Sequence, residues 1–221
     1  MIPIDSKVKT STHGPETTGQ TIRWAPRYDS TVRLVLLGKD KALREMTAEM
    51  AQIKPGDKVL DVGCGTGSLT IAAKAQAGST GNVLGIDAAP EMIDVARSKA
   101  ARAGLEIEFR VGLIESLSFD DNLFDVVLSS LMMHHLPDDL KLKGLTEIYR
   151  VLKPGGHLLI VDMNRPTALL IKILTAYIVH EKMHTGAQDL PAMMKEVGFK
   201  EIESKDIWFR LLGFVRGKAS K

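Results

Sequence analysis

The sequence predicts an α/β fold: a mostly parallel sheet with helices on both faces, closed at its C-terminal edge by an antiparallel hairpin. Three observations predict it. Short apolar strands alternate with amphipathic helices from residue 58 to residue 162, the order that builds a parallel sheet. A glycine turn, Gly63-Cys64-Gly65-Thr66-Gly67, joins the first strand directly to an Ala-rich helix. The chain has 221 residues, 44% hydrophobic and 25% charged, which is ordinary usage for one globular domain and too apolar for a disordered chain.

Residues 1–24 are polar and contain no apolar run of a secretory leader, so they read as an N-terminal segment, flexible or lid-forming, ahead of a single domain over 25–221. Leu43, Met46, Met50 and Ile53 recur at helical spacing until Lys54-Pro55-Gly56 stops the helix. Residues 58–62 form a buried strand, the glycine turn follows, and a helix covers 68–77. After Gly78-Ser79-Thr80-Gly81 a second strand spans 82–87. Pro90 suits the first position of the next helix and Gly104 the left-handed residue past its end.

Residues 107–111 alternate weakly as a third strand, and 124–129 have the apolar centre of a fourth buried on both faces. A helix over 138–152 carries Leu142, Leu145, Ile148, Tyr149 and Leu152 on one face. Lys153-Pro154-Gly155-Gly156 then turns into a fifth strand over 157–162. The tail predicts a helix from about Thr167, another over 189–197, and strands over 200–204 and 208–215. Trp208, Phe209, Leu211, Leu212 and Phe214 suit either a buried last strand or a homodimer surface.

Composition prunes the partners. Lys and Arg number 29 against 27 Asp and Glu, which leaves no basic excess to follow a phosphate backbone, so a small-molecule partner is expected and a nucleic acid is not. The lone Cys64 excludes an internal disulfide, a Cys-based metal cluster and a CxxC pair, and fits a reducing cytoplasm. The most apolar run, residues 168–179, is interrupted by Lys172 and is shorter than the ~20 residues that cross a bilayer. Peripheral membrane contact stays open.

The glycine turn is the first place for a ligand, because such sheets bind beyond the carboxyl ends of their strands. Ser68 stands where the dinucleotide fingerprint needs its last glycine. Asp61, two residues before the first glycine, would repel a pyrophosphate and favour an ammonium or sulfonium charge, pointing to S-adenosylmethionine rather than NAD. Asp87 ends the second strand about twenty residues on, where an acid accepts both ribose hydroxyls or caps the following helix.

In these motifs, together with Gly85-Ile86-Asp87, Phe124-Asp125-Val126-Val127 and Leu152-Lys153-Pro154-Gly155-Gly156, the chain resembles the class I S-adenosylmethionine-dependent methyltransferases over about residues 28–218. The resemblance implies a Rossmann-like doubly wound sheet of seven strands. It also implies an enzyme that consumes S-adenosylmethionine and releases S-adenosylhomocysteine. Carried over, the cofactor positions are Tyr28, Asp61, Gly63, Cys64, Gly65, Thr66, Gly67, Asp87, Ala88, Met92, Leu113, Ile114 and Ser130. Leu113 stands where the family often has an acid for the adenine amino group, so apolar walls or Glu115 take that role.

A sulfonium methyl is already activated, so orientation and exclusion of water supply much of the rate, and a base is needed only if the acceptor must lose a proton. His134 and His135, after the fourth strand, are the catalytic candidates. Tyr177, His180 and His184 are tentative substrate residues within a cover over about 167–190, and no metal is expected. The apolar band Leu169, Leu170, Ile173, Leu174, Tyr177, Ile178 and the methionines Met132, Met133, Met183, Met193 and Met194 suit a lipophilic acceptor or the core. Ser129-Ser130-Leu131-Met132 lacks the signature that grips nucleic-acid bases, and one cysteine does not support arsenic methylation.

The entry segment Trp24-Ala25-Pro26-Arg27-Tyr28-Asp29, with Arg33 and Leu37-Gly38, is similar to that of the ubiquinone/menaquinone-biosynthesis C-methyltransferases. Those enzymes have an Arg-Asn pair where this chain has His134-His135. The expected function is methyl transfer to a small, quinone- or lipid-like acceptor. The alternatives are a non-catalytic cofactor-binding interaction protein and an NAD-dependent oxidoreductase.

Overall fold

The computed structural model describes residues 14–165, 185–207 and 210–221. Its single sheet has seven strands: β1 (Lys58–Val62), β2 (Asn82–Asp87), β3 (Glu108–Val111), β4 (Phe124–Ser130), β5 (Leu152–Met163), β6 (Phe199–Ile207) and β7 (Leu212–Ala219). They lie in the order β3-β2-β1-β4-β5-β7-β6. The first five are parallel neighbours, while β7 runs antiparallel between β5 and β6. The chain reverses its winding between β1 and β4, and this switch point opens a crevice at the strands' carboxyl ends.

The helices are α1 (Ala25–Val35), α2 (Asp40–Met50), α3 (Ser68–Ala77), α4 (Pro90–Arg102), α5 (Asp138–Val151) and α6 (Leu190–Val197). Side chains alternate across the sheet, which assigns them to faces. Leu60, Val62, Leu84, Ile86, Val127, Leu158 and Ile160 point toward Leu145, Ile148, Leu190 and Met194 of α5 and α6. Val59, Val83, Val126, Leu128 and Leu159 point toward Ala48, Leu69, Ala73 and Ala77 of α2 and α3. Asp61 shares the second face with Val59, so its carboxylate faces α3.

Four boundaries differ from the sequence expectation, each for a visible reason. The helix expected near Leu43 begins at Asp40, preceded by α1, whose few apolar residues include Val32, packed with Leu43, Val161 and Leu212. Its largely polar sequence hid that helix. The turn expected at 153–156 lies inside β5. Gly155 takes a left-handed φ of +77°, and the register shifts opposite Phe124 and Val126. Asp125 holds that irregularity, accepting from the Lys58 N–H at 2.9 Å and from Lys153 Nζ at 2.7 Å.

Of the last two strands, β6 is longer than expected, and β7 keeps the expected length but lies later in the chain. Phe199 packs edge-on against Tyr149 and starts β6, and β7 runs on to Ala219, with Gly217 paired to Leu158. A Cβ at Gly217 would stand 2.7 Å from Met194. Leu212 and Phe214 are buried in the sheet, so β7 is a core strand, whereas Leu211 is 45% exposed. Trp208, Phe209 and the helix expected from Thr167 lie outside the described residues.

Gly67 and Gly104 separate two reasons for glycine. Both are left-handed, with φ of +78° and +65°, but a Cβ at Gly67 would stand 2.9 Å from Ala96 and Phe109, while one at Gly104 meets nothing within 4 Å. Gly104→Ala is expected to cost about 1–2 kcal/mol from the left-handed backbone alone. Gly67→Ala should cost on the order of 3 kcal/mol, because overpacking adds to it. Urea unfolding of the two variants measures the difference, and equal losses would remove the packing role of Gly67.

Candidate active site

The glycine turn is built by backbone conformation. Gly63, Gly65 and Gly67 all adopt positive φ, +71°, +52° and +78°, where a side chain is strained. The N–H groups of Gly63 and Cys64 both donate to the Ile86 carbonyl at 2.9 Å, which pins the turn to the end of β2. Asp87 then bridges two elements: Oδ2 accepts from the Gly65 N–H and Oδ1 from the Ala89 N–H, each at 2.9 Å. Asp87 therefore ties the turn to the segment entering α4 without capping the helix, whose N-cap is Ala89. Burial nonetheless pushes its carboxyl above the ordinary range.

Asp61 is 1% exposed. Burial pushes its carboxyl from 3.8 up to about 6, against the pull of the Thr70 hydroxyl, which donates to Oδ2 at 2.7 Å, and of the Arg44 guanidinium. Arg44, on α2, donates from Nη1 to Ser130 Oγ at 3.1 Å. With Tyr28, Gly63, Cys64, Gly65 and Thr66 these residues line a small recess over the ends of β1 and β4. Burial raises the Tyr28 hydroxyl's pKa above its usual 10, the Arg44 cation acting against the rise.

A larger cleft continues from this recess over β1, β2 and β3, with about 690 Å³ of free space including that open to solvent. Asp87, Ala88, Met92, Leu113, Ile114 and His135 line it, along with Gly63, Gly65 and Tyr28. Residues 14–22 form its outer wall. Thr17 Oγ1 donates to Glu115 Oε1 at 2.6 Å, and the Gln20 N–H donates to the His135 carbonyl at 3.1 Å. Glu115 is thus already held by a hydroxyl.

Most of the sequence-assigned residues converge here. Gly67 lines neither space, and packs α3 against α4 and β3. Cys64 is buried, and burial drives its thiol pKa well up, so it is no nucleophile. His134 turns toward β5: Nδ1 lies 2.5 Å from Asp162 Oδ1, with the two side chains 6% and 2% exposed. Tyr177, His180 and His184 lie outside the described residues. Among the described residues no three side chains could hold a metal ion, and no helix is long and apolar enough to cross a membrane.

Sequence reasoning missed Arg44, Asp162, Asp29 and Lys99. Lys99 Nζ lies 2.5 Å from Asp29 Oδ2 and donates to Thr66 Oγ1 and Ser68 Oγ, while Thr66 Oγ1 donates to Asp29 Oδ1 at 2.6 Å. These bonds tie α1 and α4 to the glycine turn. Arg44 carried a usable signal, a cation between the buried Leu43 and Thr47. Asp162 carried the signal that revealed Asp87, an acid closing an apolar strand.

The donor set fits a cationic nucleoside ligand: two partly desolvated carboxylates flank a glycine cradle whose backbone a side chain would block. Comparison with known proteins agrees. The model of the family described as "Methyltransferase domain" matches residues 59–156. A demethylmenaquinone methyltransferase of Lactobacillus johnsonii is 39% identical over 153 residues, 68% of this chain and 62% of that protein. A ubiquinone/menaquinone biosynthesis C-methyltransferase of Geobacter sp. is 30% identical over 207 residues, 83% of this chain and 87% of that protein. The chain belongs to the ubiquinone/menaquinone C-methyltransferase-like group of S-adenosylmethionine-dependent methyltransferases.

Solved structures share the fold. The S-adenosylmethionine-dependent methyltransferase of Aquifex aeolicus superposes with a TM-score of 0.66 at 22% identity, over 80% of this chain and 89% of that one. Phosphoethanolamine N-methyltransferase 2 of Haemonchus contortus gives 0.70 at 18% identity, over 81% and 53%. The seven-stranded, mostly parallel sheet, its antiparallel end and the methyltransferase family all match the expectation from sequence. Neither the oxidoreductase nor the non-catalytic alternative finds support in them.

Asp61 makes the protein's stability depend on pH in an unusual direction. Its folded pKa of about 6 lies above the unfolded 3.8, so the folded state binds the proton more tightly. Its ionisation therefore destabilises above pH 6, by on the order of 3 kcal/mol relative to the protonated form, and the penalty fades as pH falls toward 4. Asp61→Asn should therefore unfold at higher urea than the wild type at pH 7.5, with the gap closing by pH 4.5. A gap independent of pH would show that Asp61 ionises normally.

Proposed function

We propose that this methyltransferase acts on a quinol-type acceptor, methylating a ring carbon and releasing S-adenosylhomocysteine. The observation that carries the cofactor assignment is the placement of Asp61 and Asp87 on either side of the glycine cradle. Each Asp87 oxygen accepts one backbone N–H and keeps a further lone pair for a ribose hydroxyl. Asp61 faces the ammonium of the methionine part, and Arg44 with Ser130 faces its carboxylate. Met92, Leu113 and Ile114 wall the adenine, since Glu115 is held by Thr17.

When bound, the cofactor supplies a methyl group on a sulfonium, ready for in-line displacement. The protein's part is to hold the two reactants in line, exclude water and take up the proton that the acceptor loses. The names of the relatives support a quinone ring as acceptor. The exposed turn formed by Leu34, Val35 and Leu37, beside Arg33, supports peripheral contact with a lipid surface, where such an acceptor partitions. A buried, unpaired Cys64 supports a cytoplasmic setting.

Titration calorimetry with S-adenosylhomocysteine tests the cofactor site. Asp87→Ala and Arg44→Ala should each weaken binding about tenfold or more, the equivalent of ~1.4 kcal/mol. Mass spectrometry should detect one added methyl when wild-type protein meets a demethylated naphthoquinol with S-adenosylmethionine. Binding that is absent in the wild type, or unchanged in Asp87→Ala, would sink the assignment.

A further inference from the structure

We propose that Asp162 is the positioning residue of a proton-accepting dyad, with His134 Nε2 as the atom that takes the acceptor's proton. The proposal rests on the quinol reading for the identity of the acceptor. Three hydrogen bonds converge on the buried Asp162 carboxylate: His134 Nδ1 at 2.5 Å and the Met163 N–H at 2.6 Å reach Oδ1, and the His134 N–H reaches Oδ2 at 3.2 Å. An ionised carboxylate only accepts, so it selects the tautomer protonated at Nδ1 and leaves a lone pair on Nε2.

The same contacts favour the ionised form of Asp162. Burial pushes its carboxyl up, but the His134 ring and the Met163 N–H outweigh burial and hold it below the usual range. Among the described elements, the titratable groups facing His134 are Asp162 from β5 and His135 from its own turn. His135 is a weak base. Burial, aided by the adjacent His134, holds it at about 4, and its Nδ1 lies 3.0 Å from Gln20 Oε1. Its ring lies against that of His134, tilted by 42° with centroids 3.9 Å apart, as part of the cofactor cleft wall.

Location supplies the remaining argument. The cleft spans the ends of β1, β2 and β3, whereas the dyad joins the ends of β4 and β5 on the other side of the recess lined by Ser130. In the proposed arrangement the acceptor lies over the ends of β4 and β5, opposite the cofactor. In the step proposed, the acceptor's O–H bond breaks, its proton passes to Nε2, and the electron pair stays on oxygen in conjugation with the ring. The ring carbon forms a bond to the methyl, the methyl–sulfur pair goes to sulfur, and the ring C–H then loses its proton to restore the hydroxyl. One proton is released to water overall, and the Asp162 carboxylate stabilises the transient imidazolium.

The full-length protein tests this with Asp162→Asn, Asp162→Glu and His134→Gln. Asp162→Asn should lower kcat with the naphthoquinol at least a hundredfold, change S-adenosylhomocysteine affinity less than threefold, and move the acid limb of kcat/KM to lower pH. Asp162→Glu should recover part of kcat, and His134→Gln should abolish the acid limb. If Asp162→Asn fails to fold, His134→Gln decides alone, and near-wild-type kcat in either variant overturns the dyad. Nitrogen-edited NMR of the histidine rings is independent of the acceptor: wild-type His134 should show the Nδ1-protonated tautomer, and the opposite tautomer would refute the positioning role. Cofactor binding with no methylation of any quinol would overturn the acceptor reading, while the ring spectra still judge the dyad.

Discussion

The two backbone hydrogen bonds accepted by Asp87 hold the site together. One carboxylate, at the carboxyl end of β2, fixes the Gly65 N–H of the turn after β1 and the Ala89 N–H at the start of α4. The neighbouring Ile86 carbonyl takes the Gly63 and Cys64 N–H groups. Two adjacent parallel strands thereby set the path of both loops that follow them. The positive φ values of the turn are affordable only because these fixed acceptors over-determine it. A buried carboxylate would be a poor choice for stability alone, since burial works against its charge. In the proposed function it does two jobs, organising the loop and retaining lone pairs for a ligand.

Around that centre, the N-terminal part of the chain completes the cleft rather than the core. Residues 14–22 lie over its outer side through Thr17 and Gln20, and α1 is tied to the turn by Asp29, Lys99 and Thr66. Lys99 is half-buried and has three oxygen partners, so it works as a junction of α1, α3 and α4. Such polar ties, unlike an apolar interface, can be exchanged with water at small net loss. The apolar attachment is slight: Ala25 with Ala89 and Met92, and Val32 with Leu43.

The central elements were legible in the sequence because periodicity and glycine chemistry are local. Residues 58–62, 68–77 and 82–87 coincide with β1, α3 and β2, and Asp61 and Asp87 were found from position alone. What escaped depends on tertiary partners. The turn expected at Lys153-Pro154-Gly155-Gly156 is absorbed by β5 because Asp125 on the next strand holds an irregular register. The later position of β7 follows from its pairing on both sides. Arg44 and Asp162 act across 86 and 28 positions of chain, to Ser130 and His134, and no periodicity links such pairs. Gly67 reads as a ligand glycine in the motif, yet the packing of Phe109 and Ala96 explains it.

The switch point between β1 and β4 divides the site into halves with opposite electrostatic demands. Over β1 and β2, Asp61 and Asp87 are held with carboxyls raised by burial, so each would gain from a cation or a hydroxyl donor arriving with a ligand. Over β4 and β5, Asp162 is already satisfied by three donors, and the His134 ring with the Met163 N–H lowers its carboxyl. The first pair keeps the capacity that the proposed ligand would use, and the third acid is committed to the His134 ring. A near-neutral chain, 29 basic against 27 acidic residues, conceals this arrangement completely. The distinction arises from desolvation and donor count at each strand end, because a buried charge is governed by its immediate partners rather than by the protein's total.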